Sequence, residues 1–284
     1  AFGHRVGDDL EIIRGDLCQI LMDQIPNVEF IFDDAIQEIT SHSSGVMVKF
    51  QKNQSREFDL VIGADGIHSN VRKIVFGNEK NFVQDLGLYL SVFTVPNYLS
   101  LDRVEIQYSE LGRIAAIWSA RGEPNMKACF GFTIPSTDID LHSRSQQEQL
   151  IKKTFADIGW EVPQLLQMMP QATDFYFDAA AQVHMDHWFA DRIVLVGDAA
   201  YCASPMSGQG TSLALVGAYV LAGELAAAKQ DYQTAFKNYE QELHSYVIAN
   251  QQIGMTAAKL MQSKEKRNFL TFFFQQLRRI VPGY

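Results

Sequence analysis

Between residues 192 and 223 the chain sets a single carboxylate, Asp198, among glycines, a proline and apolar residues: RIVLVGDAAYCASPMSGQGTSLALVGAYVLAG. A carboxylate in such a setting can accept hydrogen bonds from the hydroxyl groups of a sugar or polyol. Gly197 allows a sharp turn and a close approach of a ligand. Gly208 and Gly210 bracket the start of an apolar helix, whose free N–H groups and positive dipole end favour negative charge. These residue types predict a site for a polar, partly anionic cofactor.

The elements that position this site can be read from the same segment. Ile193–Val196 is continuously apolar, which is typical of a parallel strand covered on both faces. Asp198 then lies beyond the carboxyl end of that strand, where open α/β sheets bind ligands. The helical part, Thr211–Gly223, is too short to span a bilayer, which needs about 20 apolar residues. We therefore expect a buried core helix and no stable membrane insertion.

A second glycine-containing turn lies at residues 59–73, DLVIGADGIHSNVRK. Leu60–Ile62 is predicted to be a buried strand and Gly63–Gly66 a tight loop. Ser69 can cap a helix that starts at Asn70. A turn of this kind is a weak signal alone, since many strand-to-helix turns contain glycines. Its position ahead of the Asp198 segment strengthens the functional interpretation.

Together these segments resemble the class A FAD-dependent monooxygenases, the para-hydroxybenzoate hydroxylase-like flavoprotein family. The family pattern GDAAH, Pro, GxG and apolar helix is matched by Gly197-Asp198-Ala199-Ala200-Tyr201, Pro205 and Gly208-Gln209-Gly210. The family's fingerprint DxxxGADGxxSxxR is matched at Asp59, Gly63, Ala64, Asp65, Gly66, Ser69 and Arg72. Two departures stand out, because Tyr201 replaces the usual His and Val216-Gly217 stands where the family often has an acidic residue.

The resemblance implies which residues hold FAD. Arg14, in EIIRGDL, matches the family's R-x-x-L element, whose Arg reaches the phosphate or ribityl region. An Arg can bind phosphate bidentately, although a lone Arg near a helix start is more often a solvated charge. Asp198 would anchor the ribityl chain and Pro205 would shape the loop beside the flavin. The full set implied is Arg14, Asp65, Gly66, Gly197, Asp198, Pro205, Gly208 and Gly210.

The activity implied is oxygenation driven by NAD(P)H, which acts as a transient electron donor to FAD. Reduced flavin would react with O₂ to give a C4a-hydroperoxide, which transfers one oxygen atom to a small organic substrate, often aromatic. No catalytic residue is assigned, because no acid or histidine is singled out by its spacing. Two alternatives stay open: an FAD reductase of the same fold, and a truncated, non-catalytic remnant without competent FAD binding. A halogenase would need a Trp-rich motif that the sequence lacks.

The fold class implied is α/β, with an incomplete FAD/NAD(P)-binding Rossmann-like domain, an inserted antiparallel-sheet substrate domain and C-terminal helices. The expected divisions are residues 1–80 with 176–230, residues 81–175, and residues 231–284. Strand patterns occur at Asn27–Ile31, Ala35–Ser41, Gly45–Lys52, Phe58–Gly63, Leu88–Pro96, Arg103–Ser109, Arg113–Ala120 and Met126–Pro135. Residues 143–170 are predicted to be helical, with Leu165, Leu166, Met168 and Met169 as core or as pocket lining.

The strand and GxGxxG turn that open the family's fold do not occur in this sequence. A central strand cannot be deleted without exposing the backbone groups of its neighbours. We therefore expect a portion of a longer enzyme, or a companion segment that supplies the missing unit. A truncated protein with weakened FAD binding is the alternative.

Composition limits the partners. A net charge of −9 over 284 residues, without a long basic run, argues against nucleic-acid binding. Cys18, Cys129 and Cys202 form neither a disulfide framework nor a CxxC metal site, which favours a cytoplasmic location. His184 and His187 lack a third ligand, so no metal site is expected. An aromatic stripe within residues 267–280 could pack between domains or form a homo-oligomer contact.

Overall fold

The computed structural model describes residues 12–110, 112–120, 122–133 and 143–262. The chain is a mixed α/β protein that divides into two compact units. The first unit comprises Ala1–Phe30, Gly87–Ala179 and Lys259–Tyr284, and the second comprises Ile31–Leu86 and Ala180–Ala258.

The elements follow one another along the chain in this order. The first half contains α1 (Arg14–Asp23), β1 (Ile36–Ser41), β2 (Val46–Phe50), β3 (Arg56–Phe58), β4 (Val61–Gly63), α2 (Asn70–Phe76), β5 (Val83–Pro96), β6 (Val104–Glu110), β7 (Arg113–Ser119) and β8 (Asn125–Thr133). The second half contains α3 (Arg144–Thr154), α4 (Val162–Met168), β9 (Tyr176–Val183), β10 (Phe189–Ala190), β11 (Ile193–Leu195), α5 (Asp198–Tyr201), α6 (Gly210–Ala228) and α7 (Tyr232–Gln262).

The second unit contains two three-stranded sheets. One is the antiparallel sheet β1-β2-β3, and the other has the order β10-β11-β4, with β4 and β11 parallel. The predicted strand Phe58–Gly63 is therefore wrong as a single element, because β3 pairs with β2 while β4 pairs with β11. The chain changes sheets between them, which a continuous apolar pattern does not reveal.

The predicted strand Asn27–Ile31 is also wrong. This segment follows α1 through a turn in which the Val28 N–H donates to the Ile25 carbonyl at 3.3 Å, and it joins no sheet among the described residues. Val28, Phe30 and Ile31 are each at least 40% exposed. Strand propensity alone does not fix a strand where no neighbour or buried face supports it. The other seven predicted strands have counterparts, with Phe58–Gly63 divided as described.

The core of the second unit is built around β11 and α5. Ile193, Val194 and Leu195 are at most 3% exposed, which confirms the predicted buried strand. Tyr201 and Tyr239 are buried beside Trp188, and their hydroxyl oxygens are 2.9 Å apart. The Tyr239 hydroxyl also lies 3.0 Å from the Leu195 carbonyl. Burial raises the pKa of Tyr201, so the pair stays protonated at neutral pH.

The Tyr201 side chain has room beside α6 because the helix residue next to its hydroxyl group is Gly217. A Cβ atom at Gly217 would lie 1.9 Å from the Tyr201 hydroxyl oxygen. The two departures from the family pattern are thus one feature: the larger, neutral Tyr201 takes up the space that Gly217 leaves.

The first unit is organised on the five-stranded antiparallel sheet, which has the order β6-β7-β8-β5-β9. Phe93, Phe130, Phe132 and Phe155 form its fully buried aromatic core, and α3 and α4 contribute apolar side chains to it. The helices confirm the prediction for residues 143–170. Leu165 and Met169, at the centre of that region, are 0% exposed, whereas Leu166 and Met168 pack at its margin. Their burial supports the core interpretation.

Three further observations bear on location and assembly. Helix α6 is long and apolar enough to cross a membrane by length and composition. The prediction that it is a buried core helix is wrong, because only Leu213, Gly217 and Leu221 of its 19 residues are buried and Tyr219 is 82% exposed. Cys18, Cys129 and Cys202 are free thiols. The aromatic stripe at residues 267–280 lies outside the described residues.

A partly exposed polar cluster fastens β5 and β8 to the segment that enters β9. The Asp174 carboxylate accepts hydrogen bonds from the Thr94 N–H at 2.9 Å, the Thr94 hydroxyl at 2.6 Å and the Lys127 ammonium at 2.8 Å. Burial alone would raise the pKa of Asp174, but the bonds from Lys127 and Thr94 outweigh it and hold the pKa at about 2.

We predict that Asp174→Asn lowers the free energy of unfolding at pH 7 by about 1 kcal/mol. The effect is small because solvent screens this partly exposed carboxylate. A lowered carboxyl pKa stabilises the fold above the unfolded value of about 4 and ceases to do so as the pH falls towards 2. Denaturant unfolding at several pH values measures the effect, with Asp186→Asn as the exposed control. An Asp174→Asn deficit that does not shrink towards acid would contradict this account.

We also predict that Gly217→Ala destabilises the protein by about 1–3 kcal/mol, because the added methyl group overpacks the Tyr201 hydroxyl. Gly223→Ala is the matched control in the same helix, since a Cβ atom there meets nothing within 4 Å. That change should stabilise by about 0.5–1 kcal/mol. Adding Tyr201→Phe should recover part of the Gly217→Ala loss in thermal unfolding. Equal effects of the two glycine substitutions would rule out the proposed fit.

Candidate functional site

Two loops leave the same edge of the small parallel sheet in the second unit. Strands β4 and β11 run parallel in the register Leu195 opposite Gly63, and the Val196 N–H donates to the Gly63 carbonyl at 2.9 Å. Asp65 and Asp198 follow the carboxyl ends of these strands by two and three residues. The carboxyl edge of parallel strands is where open α/β sheets bind ligands. The structure therefore brings the two sequence motifs together.

The loop after β4 is shaped by its own carboxylate. Asp65 accepts hydrogen bonds from the Ser69 hydroxyl at 2.5 Å and from the Val71 N–H at 3.0 Å. Ser69 caps α2, as predicted, by accepting from the Arg72 N–H at 2.9 Å. A Cβ atom at Gly66 would meet nothing within 4 Å. The visible role of Asp65 is thus to fold the loop, which leaves open space at the Gly66 backbone.

Arg72 joins this loop to the one after β11. Its guanidinium is fully buried and donates to the Ala199 carbonyl at 2.9 Å and to the Ile67 carbonyl. The Glu79 carboxylate lies 3.7 Å away. Burial lowers the pKa of Arg72, and the Glu79 and Asp65 carboxylates oppose that shift. A buried cation that bonds one carbonyl in each loop fixes the distance between them. The sequence pointed to Arg72 as a motif match only, not to this link.

The loop after β11 presents one exposed carboxylate. Gly197 is buried with φ +65° and ψ −141°, a conformation that side-chain-bearing residues rarely adopt. Asp198 is exposed, while Gly197 and Ala199 on either side of it are buried. Burial, together with the Asp198 charge, raises the pKa of Cys202 to about 12, so this thiol remains protonated. The Asp198 carboxylate is thus exposed between two buried residues, where it can accept hydrogen bonds from the hydroxyl groups of a sugar-like ligand.

The remaining predicted residues lie where this loop enters α6. Pro205 is exposed, and its carbonyl accepts a hydrogen bond from the Gly208 N–H at 3.1 Å. Gly208 is left-handed, with φ +67°. Helix α6 then begins at Gly210 without a side-chain cap from Gln209, and a Cβ atom at Gly210 would meet nothing within 4 Å. The 19-residue helix therefore starts at an accessible glycine.

Arg14 belongs to the first unit and is the first residue of α1. Its side chain is exposed, and none of the described residues of this helix is buried. The role of Arg14 towards a cofactor stays a prediction.

His184 and His187, three residues apart in the sequence, contact different partners. The His187 ring nitrogen lies 3.1 Å from a Glu240 carboxylate oxygen, whereas His184 lies 3.1 Å from the Gln182 side-chain oxygen. Within the described ranges, no group of three or more His, Cys, Asp or Glu residues could hold a metal ion.

These features fit a dinucleotide such as FAD. The open backbone at Gly66 and Gly210 leaves room for close approach, and the uncapped start of α6 suits negative charge. The exposed Asp198 suits a hydroxyl donor.

Comparisons with known proteins agree with this interpretation. The family described as "FAD binding domain" matches residues 16–252. A flavin-dependent monooxygenase of Legionella longbeachae is 42% identical over 265 residues, which cover 93% of this chain and 68% of the relative. An uncharacterized protein of Mycobacterium tuberculosis is 46% identical over 244 residues, which cover 86% of this chain and 66% of the relative.

A solved structure is similar throughout the chain. The crystal structure of tetracycline destructase Tet(55) superimposes with a TM-score of 0.84 at 39% identity, covering 96% of this chain and 75% of that one. The chain spans about two thirds of the length of the curated relatives it matches. Motifs, fold and relatives agree, and the chain belongs to the class A family of FAD-dependent monooxygenases.

Proposed function

We propose that the protein is an NAD(P)H-driven, FAD-dependent monooxygenase whose cofactor site includes the loops that follow β4 and β11. The observation that carries the proposal is the parallel pair β4–β11, which brings the Asp65–Gly66 and Gly197–Asp198 loops to one edge. The family match supports FAD as the bound group. The first unit, with its antiparallel sheet, is proposed to hold the substrate.

Each proposed ligand has a physical role. Asp198 would accept hydrogen bonds from the ribityl hydroxyls, because its carboxylate is exposed above a buried floor. The backbone at Gly66 and Gly208 is not buried and would let the cofactor approach closely. Gly197 is buried, and its positive φ would instead shape the turn that presents Asp198. The start of α6 at Gly210 would stabilise negative charge that develops on reduction. Pro205 would fix the direction of the loop, and Arg14 would contribute to phosphate binding.

When bound, FAD would accept electrons from NAD(P)H and activate O₂ for transfer of one oxygen atom to the substrate. The residues of this chain would bind and orient the cofactor and exclude water from it. No residue is proposed as a general base.

A small organic substrate with an aromatic or fused-ring system is proposed. The similarity to Tet(55), a tetracycline destructase, supports tetracycline as the first probe. The decisive assay is oxidation of NADH or NADPH with O₂ uptake, measured with and without the probe. Stimulated turnover that yields an oxygenated product supports the monooxygenase. Turnover without oxygen insertion would instead identify a reductase, and a protein that cannot take up FAD even together with the companion segment would be the non-catalytic remnant.

A companion segment is proposed at the edge of the small sheet. Strand β4 pairs with β11 on one side, and no strand among the described residues pairs with its other side. Ile62, at the centre of β4, is 48% exposed, so the prediction of a buried strand at Leu60–Ile62 is wrong for this residue. Parallel sheets are normally covered on both faces and extended at such edges. The segment could come from the same gene product, from a separate chain or from a second copy.

A cytoplasmic location is proposed as well. The free thiols Cys18, Cys129 and Cys202 support a reducing compartment.

We predict that Asp198→Ala lowers the FAD content of the purified protein at least about tenfold, since a hydrogen bond to a charged group contributes about 1.5–3 kcal/mol. The ratio of flavin absorbance to protein absorbance measures this content. Asp186→Ala, which removes an exposed carboxylate elsewhere in the second unit, should retain full occupancy. Unchanged occupancy in Asp198→Ala would refute the assignment.

For Arg14 we predict that replacement by Ala weakens FAD binding about tenfold or slows flavin reduction by NADPH, because a bidentate phosphate contact is lost. Arg14→Lys should retain part of the effect, and Lys153→Ala is the control for loss of an exposed cation. Equilibrium titration and stopped-flow reduction provide the two readouts. Normal values for both in Arg14→Ala would remove this residue from the site.

A further inference from the structure

The loop that enters α6 contains a residue in an unfavourable backbone conformation. Ser204, immediately before Pro205, has φ +75° and ψ 148° and is 3% exposed. This region of φ and ψ is populated almost only by glycine. A serine stays there only where the surrounding contacts hold it, so the structure must contain the groups that do so.

Some of these contacts lie within the loop. The Ser207 hydroxyl donates to the Ser204 carbonyl at 2.9 Å, and the Ser204 hydroxyl accepts from the Met206 N–H at 3.3 Å. The Ser207 hydroxyl in turn accepts from the Gln209 N–H at 3.1 Å. These bonds set the internal shape of the turn, but they do not fix it to the rest of the unit.

The external anchor is Gln182, the seventh residue of β9, whose side chain is fully buried. Its amide nitrogen donates to the Ala203 carbonyl at 3.1 Å and to the Gln251 carbonyl on α7 at 2.7 Å. Both amide hydrogens are thus used, one on the loop and one on the helix. The bond to the Ala203 carbonyl acts on the peptide group that leads into Ser204.

Helix α7 supports the same peptide by contact. A Cβ atom at Gly254 would lie 2.2 Å from the Ala203 carbonyl oxygen and 3.0 Å from the Gln182 amide nitrogen. The glycine therefore allows the helix to come close enough for Gln182 to bridge it to the loop. The Val183 N–H also donates to the Cys202 carbonyl at 3.0 Å. Two neighbouring residues of β9, Gln182 and Val183, therefore bond to the loop.

We propose that Gln182 is a positioning residue that holds the Ala203–Ser204 peptide in its unfavourable conformation and so fixes Pro205 and the start of α6 in the loop that would bind FAD. This inference rests on the proposed function, because it takes the loop as part of the flavin site. Gln182 lies outside the sequence motifs of the family, and α7 supports it through the Gln251 carbonyl.

The test compares two substitutions of buried glutamines in the FAD-loaded protein. Gln182→Met keeps the side-chain length but removes the donors to Ala203 and Gln251. Gln251→Met is the matched control, because the Gln251 amide donates to the Val183 carbonyl at 2.7 Å and does not contact the loop. Both variants should lower the melting temperature of the apoprotein to a similar extent.

The flavin readouts should separate the variants. Gln182→Met is expected to raise the FAD dissociation constant at least tenfold and to shift the visible flavin absorption band. Gln251→Met should leave both at the wild-type values. Equal changes in the two variants, or unchanged flavin binding in Gln182→Met, would overturn the positioning role while leaving the FAD site itself intact.

A second variant tests the same mechanism by rescue, at a temperature at which Gln182→Met is folded. Ser204→Gly removes the backbone conflict, since glycine adopts this conformation without the penalty. Combined with Gln182→Met, it should restore most of the lost FAD affinity, because the loop then needs less support. No restoration in the double variant would contradict the mechanism. A wild-type protein that binds no FAD when its companion segment is present would instead reject the proposed function, which separates the two failures.

Discussion

The parallel pairing of β4 with β11 is the constraint on which the candidate site depends. It places two loops with different sequences at one sheet edge and sets their spacing through a single register. Arg72 then fixes that spacing by bonding the Ala199 carbonyl of one loop and the Ile67 carbonyl of the other. Because the guanidinium is fully buried, losing either bond would leave a buried donor unpaired, which costs about 1–3 kcal/mol. The site is therefore shaped before a cofactor arrives.

Two residues of the loop after β11, Gly197 and Ser204, have backbone conformations that are unfavourable for most residues. Gly197 tolerates its conformation at no steric cost, whereas Ser204 does not and depends on its surroundings. Helix α7 contacts both parts of the loop after β11. Its Tyr239 hydroxyl bonds to the Tyr201 hydroxyl, and Gly254 leaves space for the Ala203 carbonyl. Helix α7, which carries no motif in the sequence, thus helps to hold the loop after β11 in place.

Sequence reasoning reached the local motifs and missed the long-range contacts. The buried strand at Ile193–Leu195 and the Ser69 cap follow from apolar pattern and cap chemistry, which act over a few residues. The division of Phe58–Gly63 between two sheets depends on which strands pair, and pattern does not specify pairing. Gln182 carried no signal at all, because an isolated glutamine in a strand is ordinary until its partners 21 and 69 residues away are known.

The most direct test of the central claim is hydrogen–deuterium exchange of the protein with and without FAD, followed by mass spectrometry at peptide resolution. If the paired loops grip one cofactor, protection should rise together in residues 63–72 and 197–212, with a smaller change in peptides of β1 and β2. The two loops should also lose protection together when FAD is removed. Protection in one loop alone, or a change confined to other segments, would contradict a shared site at the carboxyl edge of β4 and β11.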